Sequence, residues 1–351
     1  MIGKVRLFSQ NANSFSKCRM GWRGILVLGL MMLTCGVALA EEPVASPEPV
    51  KKFFLSEDNY DVLYSVEYHR HSTSEGDSRS EQAMLADIYI PKGDGPFPTI
   101  LMVHGGAWFA GNKAHVSLHA RNAADQGFAV VAINYRLAPQ HKFPAQLDDC
   151  RLALRWISKN SDKYRFDQSR VAAYGYSAGA HLVCLLAVTQ NVESSSKADA
   201  AAGPSDDREA DMDAPRLRAV VAGGAPCEFS WIPQDSTRLA FWLGGSPAGV
   251  PERYAAASPT TFVDREDPPT FFFHGKTDRI VPLSSAETMC ELLGKCDVPA
   301  KLHVVPGASH MGAFLNPAAR DLAIQFLNEQ LNVAAKPSSN PGGGQVHAGS
   351  R

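Results

Sequence analysis

Ser177 stands in Tyr174-Gly175-Tyr176-Ser177-Ala178-Gly179-Ala180, between a β-leaning run, Arg170–Tyr174, and a helix-leaning run, His181–Val188. Its flanking glycines make the G-x-S-x-G pattern of a strand that turns sharply into a helix. Such a turn strains the residue at its tip, so the neighbours must be nearly free of side chain. The serine oxygen then stands clear of the sheet, with the following backbone N–H groups aimed at any oxyanion formed beside it. A serine hydroxyl is a weak nucleophile and needs a base, itself oriented by an acid. His310, in Pro306-Gly307-Ala308-Ser309-His310-Met311-Gly312, follows an apolar strand-like run and is the candidate base. His303 lies inside that run and reads as a sheet residue. Asp278, in His274-Gly275-Lys276-Thr277-Asp278, is the candidate acid, whereas Asp264, Asp267 and Asp297 lie in polar connections and read as solvated charges. A fourth part follows Thr99–Val103, in His104-Gly105-Gly106-Ala107-Trp108. There Gly105, Gly106 and Ala107, with Ala178, are the candidate oxyanion hole, because glycine lets a backbone N–H approach a substrate oxygen. Alone, each part has a plainer reading as an ordinary turn or a solvated loop residue. Their common place at strand ends favours the chemical one.

The elements that must position these residues alternate along the chain. Tyr60–His69 and Gln82–Tyr89 read as strands joined by the polar stretch Ser72–Ser80. Thr99–Val103, Phe128–Asn134, Arg170–Tyr174, Leu217–Val221, Thr270–Phe273 and Ala300–Val305 are short apolar strands. Helices are expected at Val116–Gln126, Ala145–Lys159, Leu283–Leu293 and Ala318–Leu331. Strands apolar on both faces, alternating with helices, predict an α/β fold with a mostly parallel central sheet and helices on both faces. Asn191–Ala214 reads as a flexible surface insertion, and Glu228–Val263 as a long connection that covers one side of a pocket. The expected organisation is a leader over residues 1–40, a linker over 41–58, one catalytic-sized domain over 59–332 and a disordered tail over 333–351.

Composition narrows the partners. The 351 residues are 45% hydrophobic and 20% charged, which marks a globular chain. A net charge of -2 shows no basic excess, so no nucleic-acid partner is expected. Lys4, Arg6, Lys17, Arg19 and Arg23 precede the apolar run Gly24–Ala40, which ends Ala38-Leu39-Ala40. A basic region, a short apolar stretch and a small-x-small site predict a secretory signal peptide cleaved after Ala40, and hence export. At about 17 residues the run is short for a membrane span. Export puts Cys150, Cys184, Cys227, Cys290 and Cys296 in an oxidising compartment, and two readings stay open for Cys290 and Cys296. They bridge if the helix ends near Gly294, or they stay free thiols. No CxxC pair or His/Cys cluster calls for a metal, and no cofactor is expected.

Asn134-Tyr135-Arg136-Leu137-Ala138-Pro139 and Phe143-Pro144-Ala145-Gln146-Leu147-Asp148-Asp149, with the His104–Trp108 turn, resemble the hormone-sensitive-lipase-like esterases. Leu243-Gly244-Gly245, Tyr254-Ala255-Ala256-Ala257-Ser258-Pro259 and His274-Gly275-x-x-Asp278-x-x-Val281-Pro282 look closer to a sister group. That group is the secreted feruloyl and acetyl xylan esterases (BD-FAE-like) of the α/β-hydrolase superfamily. The resemblance runs from about Asp87 to Leu331. It implies a Ser177, Asp278, His310 triad, in the chain order of α/β-hydrolases, and hydrolysis of carboxylic esters carried by a small molecule or a polysaccharide. It also implies scaffold roles for His104 and Asp148. Apart from the resemblance, Trp108, Phe109, Tyr176, Trp231, Phe241 and Trp242 are aromatic candidates to line a pocket or stack on a sugar or feruloyl ring. Trp108 and Tyr176 are the expected substrate contacts, and core or loop packing is the plainer reading for at least half of the set. The chain departs from the first group at Tyr176, where many members have Asp, and at Ala107, where they have a third Gly. Two rivals stand beside the esterase. A prolyl-oligopeptidase-type peptidase shares the triad, but fewer than about 60 residues precede Thr99 after the leader, too few for its propeller. A non-catalytic module on the same scaffold would be expected to lack the nucleophile or base.

Overall fold

The structure, a computed structural model, describes residues 54–75, 78–190 and 214–333. Among the described residues nine strands form one sheet in the order β1-β2-β3-β5-β4-β6-β7-β8-β9. They are β1 (Phe54–Ser56), β2 (Tyr60–Glu75), β3 (Ser78–Pro91), β4 (Phe97–Val103), β5 (Ala129–Ile133), β6 (Phe166–Tyr176), β7 (Leu217–Gly223), β8 (Thr270–Gly275) and β9 (Ala300–Val305). The first three strands and the β3–β5 pair are antiparallel. Every pairing from β5 through β4 to β9 is parallel.

Alternation along each central strand explains the layers. Leu101 and Val103 of β4 and Val171 and Ala173 of β6 enter one core, which packs under helices Ala145–Lys159, Ala178–Thr189 and Leu283–Lys295. Their neighbours Ile100 and Met102, and Ala172, Tyr174 and Tyr176, enter the opposite core, under helices Ser117–Asp125 and Pro317–Gln330. Successive side chains of a strand point to opposite faces, so both faces must be apolar and both must be covered. Ala178–Thr189 is buried along its whole length, because it runs behind the sheet centre and beneath its neighbours.

The expected α/β architecture is therefore the observed one, with local corrections. The sheet begins at Phe54, inside the stretch read as linker, because β1 pairs with β2. Residues 72–75 and 78–80 are strand and not loop: β2 and β3 stay paired out to Glu75 and Ser78, since the antiparallel ladder is made by backbone groups and needs no apolar alternation. Helix Leu283–Lys295 runs through Gly294, and all five cysteines of the described residues are free thiols, so Cys290 and Cys296 are not bridged. The expected leader, the body of the 191–214 insertion and the tail beyond residue 333 lie outside the described residues. Among the described residues no helix is long and apolar enough to cross a membrane, and no cluster of side chains suits a metal ion.

Candidate active site

The chain order reverses on either side of β4, with β5 to one side and β6 to the other, and such a switch point opens a crevice at the strands' C-terminal ends. The ends of β4, β6, β7, β8 and β9 lead into residues 104–108, Ser177, Gly224, Asp278 and His310.

Ser177 sits at φ 55° and ψ −120°, a conformation that L-residues avoid. The two elbow glycines make that turn possible. A Cβ on Gly175 would lie 2.3 Å from the carbonyl oxygen of Gly179, and one on Gly179 would lie 2.1 Å from that of Val103. The Ser177 N–H donates to the Gly223 carbonyl (2.7 Å), which fastens the elbow to the end of β7. Ser177 is half-buried, with its hydroxyl hydrogen-bonded to nothing among the described residues.

Asp278 and His310 meet directly. His310 Nδ1 donates to Asp278 Oδ2 at 2.6 Å, and the carboxylate is fully covered. The backbone N–H groups of Ile280 (2.8 Å) and Val281 (3.0 Å) donate to Asp278 Oδ1. Burial opposes the charge on Asp278, but hydrogen bonds from His274, His310 and Val281 outweigh it and hold the carboxyl well below the usual carboxylate range. His274 is fully buried and contacts Asp278 Oδ2 at 3.2 Å. It stands in the quoted His-Gly-x-x-Asp run, yet its type and spacing alone did not assign it this contact. Gly224, also unanticipated, takes φ +56°, and a Cβ there would lie 2.9 Å from His310 Cε1. Ser177 Oγ and His310 share no hydrogen bond in this structure. Catalytic hydrogen bonds are commonly loose before substrate binds.

The turn after β4 holds positive φ at three successive residues, Gly106 (125°), Ala107 (49°) and Trp108 (63°), which strains the two that carry side chains. Gly105 packs on the elbow, where a Cβ would lie 2.8 Å from the Tyr176 carbonyl oxygen and 3.2 Å from Ser177 Cβ. The candidate oxyanion turn therefore abuts the Ser177 elbow. Ala178 opens the helix after the elbow, where an N–H has no partner within the helix.

Both residues expected to contact substrate are nearly covered by packing. Trp108 is 5% exposed and stacks on Trp242 at 3.8 Å, with its indole N–H on His181 Nδ1 (3.2 Å). Tyr176 is 4% exposed and donates its hydroxyl to the His310 carbonyl. An aromatic beside the nucleophile looks the same in sequence whether it faces the crevice or the core. Phe109 is the exposed aromatic of the turn, edge-on to half-buried Phe241 at 5.4 Å. Phe241 and Trp242 bring the 228–263 connection against the turn.

One of the two expected scaffold roles sits one residue further on. Asp148 is partly exposed and pairs with Arg151 (3.2 Å). The fully buried Asp149 instead accepts from the Arg136 N–H (2.7 Å), the Arg136 guanidinium (2.9 Å) and His71 (2.8 Å), and so joins the two quoted motifs. His104 is fully buried, stacks on Tyr135 and donates Nδ1–H to the Gly105 carbonyl (2.7 Å). Burial lowers its pKa to about 4. Asp267, expected to be solvated, is buried.

This sheet order, with a strained serine after β6 and a carboxylate–histidine pair after β8 and β9, defines an α/β-hydrolase. Residues 86–293 match the BD-FAE family model, and the chain belongs to that family. It is similar to "Esterase LipC" of Mycobacterium tuberculosis, at 30% identity over 74% of this chain and 65% of that protein. A second relative from the same organism is "Probable carboxylic ester hydrolase LipM", at 31% identity over 71% of this chain and 58% of that protein. The chain thus spans less than two thirds of the length of either relative. Among solved structures it is similar to a "truncated form of carbohydrate esterase from gut microbiota", with a TM-score of 0.66 and 26% identity, covering 80% of this chain and all of that one.

Proposed function

We propose that this chain is an exported serine carboxylesterase in which Ser177, His310 and Asp278 act as nucleophile, base and orienting acid. The observation that carries the reading is the 2.6 Å hydrogen bond from His310 Nδ1 to a covered, ionised Asp278. With Nδ1–H committed to the carboxylate, Nε2 keeps its lone pair and can take the Ser177 proton. Ser177 Oγ then attacks the ester carbonyl, and the oxyanion is held by N–H groups of the Gly105–Ala107 turn and Ala178. The C–O bond to the alcohol breaks as His310 returns the proton to the leaving oxygen. Water, deprotonated by His310, then attacks the acyl-enzyme and releases the acid.

The names of the relatives, esterases and a carbohydrate esterase, support ester substrates, including esters carried by a carbohydrate. Short acyl and feruloyl groups are the acyl classes that the sequence resemblance adds. The basic and apolar composition of residues 1–40 supports export. Of the six candidate aromatics, Phe109 and Phe241, edge-on beside the candidate oxyanion turn, are the more accessible pair for substrate, Phe109 being exposed and Phe241 half-buried. The test is hydrolysis of p-nitrophenyl esters of increasing chain length, acetylated xylan and methyl ferulate. Ser177→Ala should lower every measurable rate by roughly 10³-fold or more, with an unchanged circular dichroism spectrum. Near-parental activity in that folded variant would overturn the nucleophile. Inactivity of the parent on every ester would overturn the function.

A further inference from the structure

The helix that carries His310 has only five residues, His310–Phe314. A helix this short is far below the roughly 12–15 residues that hold themselves in water, so its orientation must come from what grips it. Two grips come from β6, the strand that delivers Ser177. Tyr174 and Tyr176 are two residues apart and point to the same face of the sheet. The ring of Tyr176 packs against His310 (5.2 Å), Phe314 (4.6 Å) and Phe273 (5.7 Å), and its hydroxyl donates to the His310 carbonyl. One pleat earlier, the Tyr174 hydroxyl meets His119 Nδ1 at 2.8 Å, and His119 Nε2 meets the Phe314 carbonyl at 3.1 Å. A carbonyl can only accept, so Nε2 carries the hydrogen and Nδ1 accepts from Tyr174. Burial, with Arg320 nearby, lowers the His119 pKa to about 4, which keeps that neutral tautomer at neutral pH. Both ends of the short helix are therefore tied to the strand of the nucleophile.

We propose that Tyr174 and Tyr176 are positioning residues for the reaction, setting the place of His310 relative to Ser177 through the two ends of the helix His310–Phe314. Tyr176 acts on residue 310 directly, and Tyr174 acts on residue 314 through His119. The proposal rests on the reading of His310 as the base. It gives a chemical reason for Tyr176 at the first x of the elbow, since a carboxylate there could not donate to the His310 carbonyl.

Tyr176→Phe keeps the ring and its packing and removes only the donor. It should lower kcat on p-nitrophenyl acetate by about 10-fold or more, because sub-ångström to 1 Å displacements of a catalytic group cost up to roughly 10²-fold. KM should change less than about 2-fold. The deciding measurement is the same substitution in a His310→Ala background, where a residue that acts through His310 should lower the residual rate no further. Tyr174→Phe should give a smaller kcat loss that likewise vanishes in that background, and it serves if Tyr176→Phe does not fold. Parental kcat in the folded tyrosine variants, or an equal loss with and without His310, would overturn the proposal while leaving the base in place. A near-parental His310→Ala would instead overturn the base, and the proposal with it.

Discussion

The positions of Ser177, Asp278 and His310 were legible because each stands just past an apolar run, and run ends are where an α/β sheet delivers side chains. Trp108, Tyr176, Asp149 and Asp267 were not, since their roles depend on which way a side chain faces. An alternating strand or a loop with positive φ does not announce that direction. His181 belongs with them. It lies one helical turn after Ser177, fully buried, accepting the Trp108 indole N–H at Nδ1 (3.2 Å) and donating Nε2–H to the Ala257 carbonyl at 2.6 Å. Burial lowers its pKa to about 4, so it is neutral at neutral pH and both bonds fit one tautomer. The strained turn, the elbow helix and the 228–263 connection therefore share one imidazole. His181→Phe would leave a buried donor and a buried acceptor unsatisfied, at about 1–3 kcal/mol each. The expected result is a Tm lower by several degrees, read by differential scanning calorimetry. The loss of kcat should exceed any change in KM, because Trp108 borders the oxyanion turn.

At the scale of elements, the apolar periodicity was the legible part. Helix Ala145–Lys159 begins and ends where its sequence pattern does, and β9 coincides with its apolar run. Joins between elements were harder to read, because a register or a close approach is a property of two segments and neither contains it alone. Gly224 illustrates this. In sequence it is a glycine in a Gly-Ala-Pro loop after β7, yet its positive φ and its nearness to His310 Cε1 make it the floor under the imidazole. Its neighbour Gly223 accepts the Ser177 N–H, so the end of β7 touches both Ser177 and His310. Gly224→Ala should be destabilising by about 1–2 kcal/mol through its backbone conformation alone. Its new Cβ, 2.9 Å from His310 Cε1, should also push the ring aside. The expected outcome is a modest fall in Tm with a disproportionate fall in kcat, measured on one preparation. Equal, small effects on both would show that the ring does not depend on this contact.

For the whole molecule, two carboxylates bend stability in opposite directions with pH, and neither effect could be read from composition. Asp278 is held ionised below the usual carboxylate range, so its contribution is present above the ordinary value near 4 and is lost as the pH falls toward its folded value. Asp267 is the reverse. It is buried just before β8, with Oδ2 accepting the Asp264 N–H at 2.9 Å and Oδ1 without a partner among the described residues. Burial outweighs that one hydrogen bond and pushes its pKa up to about 7. The folded protein then binds a proton that the unfolded chain has released between pH about 4 and 7, so stability falls as the pH rises through that window and levels off above it. Asp267→Asn can keep an acceptor for the Asp264 N–H and never ionises. The difference in Tm between variant and parent should therefore move in favour of the variant from pH 4.5 to 7.5 and change little from 7.5 to 8.5. A series of thermal melts across that range checks it, and a difference that is flat from pH 4.5 to 8.5 would mean that Asp267 ionises in the folded protein as it does in water.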